Sequence, residues 1–172
     1  GTTNVLAREL NIRQRPRSAA ATFLTGPRVS VHLGRAGQRY FVLMGSAGFD
    51  ADVVSGLRLS LKPFLGRFAY VVSGLAVLFR GAGPAIELEF SSGERARGYT
   101  AVVCNARHYG GPFRVAPGAS LRSPTLDVCV FHRGDRRAIL RYALGIAFGS
   151  RHLSFDDVSL YTVRDVRITD GG

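Results

Sequence analysis

The sequence predicts a mainly β (α+β) fold, an antiparallel β-sandwich carrying two or three helices. Short apolar runs recur between turn residues, as over 85–90, 125–131 and 154–163. Three-and-four spacing of apolar residues is confined to a few stretches, so helices are the minority. The chain of 172 residues, 46% hydrophobic and 20% charged, is also large enough to bury a core and too apolar for disorder.

Taken in order, Val5, Leu6 and Leu10 give one face of a first helix over 4–10, with Thr2 or Thr3 placed to cap it. Arg15-Pro16-Arg17 ends it. From 20 to 48 the pattern is of β type, with strands over 28–33 and 39–44 joined through 34–37 as a hairpin. Residues 45–52 read as a glycine-bearing loop. Helices are expected over 51–61 and 65–79, separated by Pro63. Strands over 85–90, 97–106, 113–116 and 125–131 follow, with a turn at 91–93. Ile139, Leu140, Ala143, Leu144 and Ala147 mark a helix over 136–148, and strands over 154–163 and 164–169 close the chain. No repeat or linker interrupts this order, so residues 1–172 are expected to form one domain: a leading helix in 1–14 and the sandwich in 15–172.

The formal net charge is +11, and of the 23 basic residues only Lys62 is a lysine. Two readings stand, a compositional bias of the genome or attraction to phosphate on a nucleic acid or an anionic membrane. Cys104 and Cys129 sit in apolar runs, give no disulfide framework or metal spacing, and suit a reducing cytoplasm. The longest apolar stretch, 68–79, is about twelve residues against roughly twenty needed to cross a bilayer as a helix. The first residues carry Arg8 and Glu9 and have no signal-peptide pattern. A start on Gly1 without methionine reads as an excised piece.

Motif by motif, the chemistry is sparse. There is no phosphate loop ending in Gly-Lys-Ser/Thr and no Gly-x-Gly-x-x-Gly, and 45–48 is not a nucleophile elbow. His32, His108, His132 and His152 are scattered and read as surface or core residues. From spacing alone no two carboxylates form an acid–base pair.

Six segments, in order, nevertheless resemble one family. They are Gly1-Thr-Thr-Asn4 with its helix, Gly48-Phe-Asp-Ala51, Lys62 with Gly66 and Tyr70, Asn105-Ala-Arg-His-Tyr-Gly-Gly111, Ala116-Pro-Gly-Ala119, and Leu126-Asp-Val128. Together these are similar to the lipid kinases that include bacterial diacylglycerol kinases and eukaryotic sphingosine and ceramide kinases. The resemblance implies the second, β-sandwich domain of the NAD kinase/diacylglycerol kinase-like fold. The nucleotide-binding domain with its Gly-Gly-Asp-Gly-Thr motif and the extreme C-terminal segment with the catalytic carboxylate would be absent, so the chain alone should be inactive. The resemblance further implies ATP and magnesium in the parent, Thr2 and Asn4 beside the nucleotide, and Lys62 near the cleft. Asp50, Asn105, Gly110 and Gly111 would lie on substrate-side loops.

Two departures matter. Val5 stands where the family often has aspartate. Ser123 and Pro124 replace the Asp-Gly of a structural magnesium loop, whose ligands by position would be the Ser120 carbonyl, the Ser123 side chain and the Thr125 carbonyl. A neutral serine beside Arg122 is expected to leave that site weak or empty. The leading expectation is thus the lipid-side domain of an ATP-dependent lipid kinase, with the apolar helix over 64–79 serving either the core or the lipid cleft. Its partners would be a lipid substrate and an anionic membrane surface, at about 1 kcal/mol per basic residue near the lipid. A cytoplasmic, peripherally membrane-associated protein follows, and exposed sheet edges could drive homodimerisation. The alternative is a degenerate lipid- or membrane-binding module without catalysis. Nucleic-acid binding is not expected, since Arg39-Tyr40-Phe41 is the only run interleaving arginine with aromatics.

Overall fold

The computed structural model describes residues 4–13, 15–48, 83–109 and 111–171. Thr2, Asp50, Lys62, Gly110 and the helices expected over 51–61 and 64–79 lie outside them.

Two helices come first, α1 (Val5–Glu9) and α2 (Pro16–Thr25). Next are strands β1 (Gly34–Ala36), β2 (Arg39–Phe41) and β3 (Met44–Gly48). After the undescribed segment come β4 (Ile86–Phe90), β5 (Arg95–Gly98), β6 (Thr100–Cys104), β7 (His108–Tyr109), β8 (Phe113–Arg114) and β9 (Leu126–Phe131). Helix α3 (Arg136–Ala147), a 3-10 turn (Arg151–Ser154), β10 (Val158–Val163) and β11 (Val166–Asp170) finish the chain. The strands build a four-stranded sheet in the order β10-β9-β6-β3, a three-stranded sheet β11-β4-β5, and two small hairpins, β1-β2 and β7-β8. Every pairing among the described residues is antiparallel.

The two inner strands explain the layering. Side chains alternate across a strand, and here both faces are apolar. Ala101 and Val103 of β6 and Val128 and Val130 of β9 pack against Ile86, Leu88 and Phe90 of the smaller sheet. Val102, Cys104, Cys129 and Phe131 face the other way, onto Ala138 and Tyr142 of α3 and onto Val115, Ala116 and Ala119. The protein is therefore a mostly antiparallel β-sandwich with helix α3 laid on its outer face. Burial pushes the Cys129 thiol up to about 12, so it is an inert apolar filler.

Several boundaries differ from the sequence reading. Arg15-Pro16 opens a helix instead of only closing one, because proline is accommodated at the first helical position. Residues 28–33 form no ladder; the hairpin is shifted to β1-β2, turning at Gly37 in the left-handed region. Residues 45–48, expected to begin a loop, continue a strand from Met44 that pairs with β6 along its whole length. The expected strand over 97–106 is two strands in two sheets. The chain crosses between them at Tyr99, whose N–H donates to the Phe131 carbonyl at 2.9 Å. Gly98 permits the crossing: a Cβ there would stand 2.8 Å from the Phe131 carbonyl oxygen. The α1 cap falls on Asn4, in the left-handed region and with no side-chain cap bond.

His152 closes the packing of α3 on the sheet. It is fully buried, its Nε2 lies 2.9 Å from the Val115 carbonyl, and its ring stacks on Phe131 with centroids 6.0 Å apart. Burial holds its pKa below the usual 6.5, opposed by the hydrogen bond to the Val115 carbonyl. Above pH 6.5 the imidazole is neutral folded and unfolded, and its contribution to stability is intact. As pH falls below that value the unfolded chain takes up a proton that folded His152 refuses. Stability should then drop by about 1.4 kcal/mol per pH unit until the folded value is reached. Urea unfolding of the native chain and of His152→Gln between pH 7.5 and 5 should show this slope reduced in the variant. Equal slopes would mean that the buried imidazole protonates freely.

Candidate functional site

The residues that the sequence marks for function converge where β6 ends. After Cys104 the chain leaves the sheet, and the backbone N–H groups of Asn105 and Ala106 both donate to the Leu43 carbonyl at 2.9 Å. The Asn105 side chain is 2% exposed. Its amide nitrogen donates to the carbonyls of His32 at 2.9 Å and Val42 at 2.7 Å. One side chain thus holds two chain segments that no sheet ladder joins, which is why an amide with two donors is needed there. His32 is tied again through its own N–H, which donates to the Leu121 carbonyl at 2.7 Å.

Next along the chain, Arg107 and His108 meet Glu9 at the end of α1. The Glu9 side chain is only 2% exposed. Its Oε1 accepts from the His108 backbone N–H at 2.7 Å and lies 2.7 Å from His108 Nδ1. Its Oε2 stands 3.4 Å from Arg107 Nε, within ion-pair range but not aligned for a hydrogen bond. With the carboxylate as acceptor, Nδ1 carries the imidazole hydrogen. A buried carboxylate is costly unless paired and hydrogen-bonded, and this one is both. Gly111, at φ 123°, then turns β7 into β8. The structure therefore unites the helix following Asn4 with the Asn105–Gly111 turn.

Sequence reasoning did not find this contact. It placed Asn105 and Gly111 on a functional loop but read His108 as unremarkable and gave Glu9 no role. Ninety-nine residues separate Glu9 and His108, so no local pattern could signal the pair. Asn4 itself is exposed and caps a five-residue helix.

The loop expected to resemble a magnesium site is closed by its own groups. The Ser120 carbonyl accepts the Ser123 N–H at 2.9 Å. Ser123 Oγ lies 2.7 Å from Thr125 Oγ1 and 3.3 Å from the Thr125 N–H. Asp127, the nearest carboxylate in sequence, accepts the Thr162 hydroxyl at 2.7 Å. No group of three or more His, Cys, Asp or Glu side chains placed to hold a metal occurs among the described residues. Neutral, mutually bonded hydroxyls beside Arg122 bring no carboxylate and do not fit a magnesium ion, which gives up its water reluctantly and is held through carboxylates.

Because Asn105 carries the junction, Asn105→Asp is the informative change. It keeps the shape, removes both N–H donors and sets a carboxylate against two carbonyls. We expect a loss of roughly 2–4 kcal/mol in urea unfolding, with Asn105→Ala losing less or equal. A loss below about 0.5 kcal/mol would show that the two carbonyls find other donors.

Comparison with known proteins matches this arrangement to a family. Residues 44–172 match the model of the YegS C-terminal NAD kinase beta sandwich-like domain. A "Probable lipid kinase YegS-like" protein of Pseudomonas putida is 30% identical over 131 residues, covering 76% of this chain and 44% of the relative. A diacylglycerol kinase of Bacillus subtilis is 27% identical over 165 residues, covering 94% and 54%. A crystal structure of a diacylglycerol kinase from Bacillus anthracis superposes with a TM-score of 0.70 at 19% identity, covering all of this chain and 56% of that one. A second structure from that organism gives 0.79 at 18% identity. These two likenesses concern the fold. The chain spans about half the length of the curated relatives it matches. The two-layer sandwich, the Asn105–Gly111 turn and the match over 44–172 agree, and the chain belongs to the YegS/diacylglycerol kinase family through its C-terminal sandwich domain.

Proposed function

We propose that this chain is the substrate-side domain of an ATP-dependent lipid kinase, which transfers the γ-phosphate of ATP to a lipid hydroxyl. The observation that carries the reading is the Glu9 clasp. It fixes the helix after the Gly-Thr-Thr-Asn segment, the family's nucleotide-side motif, onto the Asn105–Gly111 turn, its substrate-side motif. Relatives named as lipid or diacylglycerol kinases support the same class. Phosphoryl transfer depends on positioning and on charge neutralisation more than on covalent chemistry. A rigid link between the two motifs is what such a reaction asks of this half. On this reading Thr2 and Asn4 approach the nucleotide, Lys62 and Asp50 border the cleft with Gly110 and Gly111, and 1–172 acts as one domain. The parent supplies the Gly-Gly-Asp-Gly-Thr motif, the catalytic carboxylate and the metal-bound ATP. The enzyme would work at the cytoplasmic face of a membrane without crossing it. No helix among the described residues is long and apolar enough to span one.

A second reading, a family member that binds lipid without catalysis, is favoured by the Ser123–Thr125 hydroxyl pair where the family carries a carboxylate. Labelled ATP with a panel of diacylglycerols and long-chain bases separates the two. The parent protein should phosphorylate at least one lipid, and the 172-residue chain none. A parent that is inert on every lipid while still binding vesicles would establish the second reading.

A further inference from the structure

The stretch between Glu9 and Asp50 contains no acidic residue and six arginines, Arg13, Arg15, Arg17, Arg28, Arg35 and Arg39. All six are exposed, and none makes an ion pair with a carboxylate among the described residues. The same stretch carries seven of the thirteen large apolar side chains that stand exposed among the described residues. Phe23 is 89% exposed and Leu24 78%, side by side near the C-terminal end of α2, a helix with no buried residue. Isolated exposed apolar residues are ordinary; a cluster set within unpaired cations is not.

We infer that α2 and the segment following it form a docking surface for an anionic phospholipid bilayer, with Phe23 and Leu24 inserting among the acyl chains and the six arginines contacting phosphate headgroups. The inference deepens the lipid-kinase reading and rests on it only for the use made of the docked state. Charge selects the occupant. Residues 49–82 carry Arg58, Lys62, Arg67 and Arg80 against Asp50 and Asp52, so that segment has the same sign as the surface and offers it no complement. An anionic partner is required. The choice between lipid and nucleic acid falls to the apolar side chains. Five of the seven, Leu24, Val29, Val31, Leu33 and Val42, are aliphatic against the aromatic Phe23 and Tyr40, and aliphatic groups gain from an acyl interior but give no stacking platform for bases.

The test uses vesicles of phosphatidylcholine alone and with about one-third phosphatidylglycerol. The chain has no tryptophan, so Phe23→Trp provides a single reporter. With anionic vesicles its emission should shift to the blue and be quenched by lipids brominated along the acyl chain, and high salt should weaken the binding. The double variant Phe23→Ser with Leu24→Ser should co-sediment about tenfold more weakly, as should Arg13, Arg15 and Arg17 changed together to glutamate. Both sets are exposed, and circular dichroism of each variant should match that of the native chain. Undiminished vesicle binding by both variants, or a reporter that stays in water on bound vesicles, would overturn the inference. So would single-stranded DNA displacing the chain from vesicles while producing the same blue shift. A parent protein that binds the same vesicles and phosphorylates no lipid would count against the kinase reading alone.

Discussion

At Cys104 the chain runs out of sheet, and the polar groups of the next four residues must be met by something other than a ladder. The Leu43 carbonyl takes the N–H groups of Asn105 and Ala106, and two side chains complete the junction. Asn105 takes the carbonyls of His32 and Val42, and Glu9 takes the amide and imidazole of His108. Both are buried, so neither can be removed without stranding a partner away from water. The position of α1, the course of the chain through 32–43 and the β7-β8 hairpin all follow from these contacts. They are polar solutions to a backbone problem, and they bring together α1 and the turn that follows β6.

The sandwich beneath supplies the rigidity. β6 and β9 are apolar on both faces, one toward the smaller sheet and one toward α3. A site mounted at the end of such a strand moves only if the sheet moves. The loop over 119–126 shows the same economy by another route. Where an ion would organise oxygen ligands, two hydroxyls bind each other and the Ser120 carbonyl closes a turn.

Much of this was legible in the residues, for reasons that can be named. The runs at β4 and β9 were clear because apolar residues and burial coincide there. For α3 the spacing gave the helix but the wrong face: Leu140 and Leu144 stand half exposed, while Ala138, Tyr142 and Gly145 are buried. Boundaries failed where tertiary contact overrode local pattern. Gly45–Gly48 looks like a loop because of its glycines, yet small residues suffice for the edge strand that Met44 begins and that pairs with β6. The strand expected over 97–106 breaks at Gly98 because the Phe131 carbonyl is too close for any Cβ, a fact with no sequence signature of its own. Within the site, Asn105 and Gly111 stood in a recognisable motif. Glu9 and His108 did not, because their pairing exists only once the fold closes a ninety-nine-residue separation. The acid-free arginine stretch was visible as charge. That its apolar members stand outside was not, since Phe23 and Leu24 would suit a buried helix equally well.

The account stands or falls on α1 being fastened to the Asn105–Gly111 turn by Glu9. Amide hydrogen exchange, followed residue by residue by NMR in the native chain and in Glu9→Ala, tests this directly. The His108 amide should exchange as slowly as those of Asn105 and Ala106 in the native chain. In the variant it alone of the three should accelerate strongly, because its acceptor is gone while Leu43 still serves the other two. A His108 amide that exchanges at the open-chain rate in the native protein would contradict the account, since α1 would then not be held at the site.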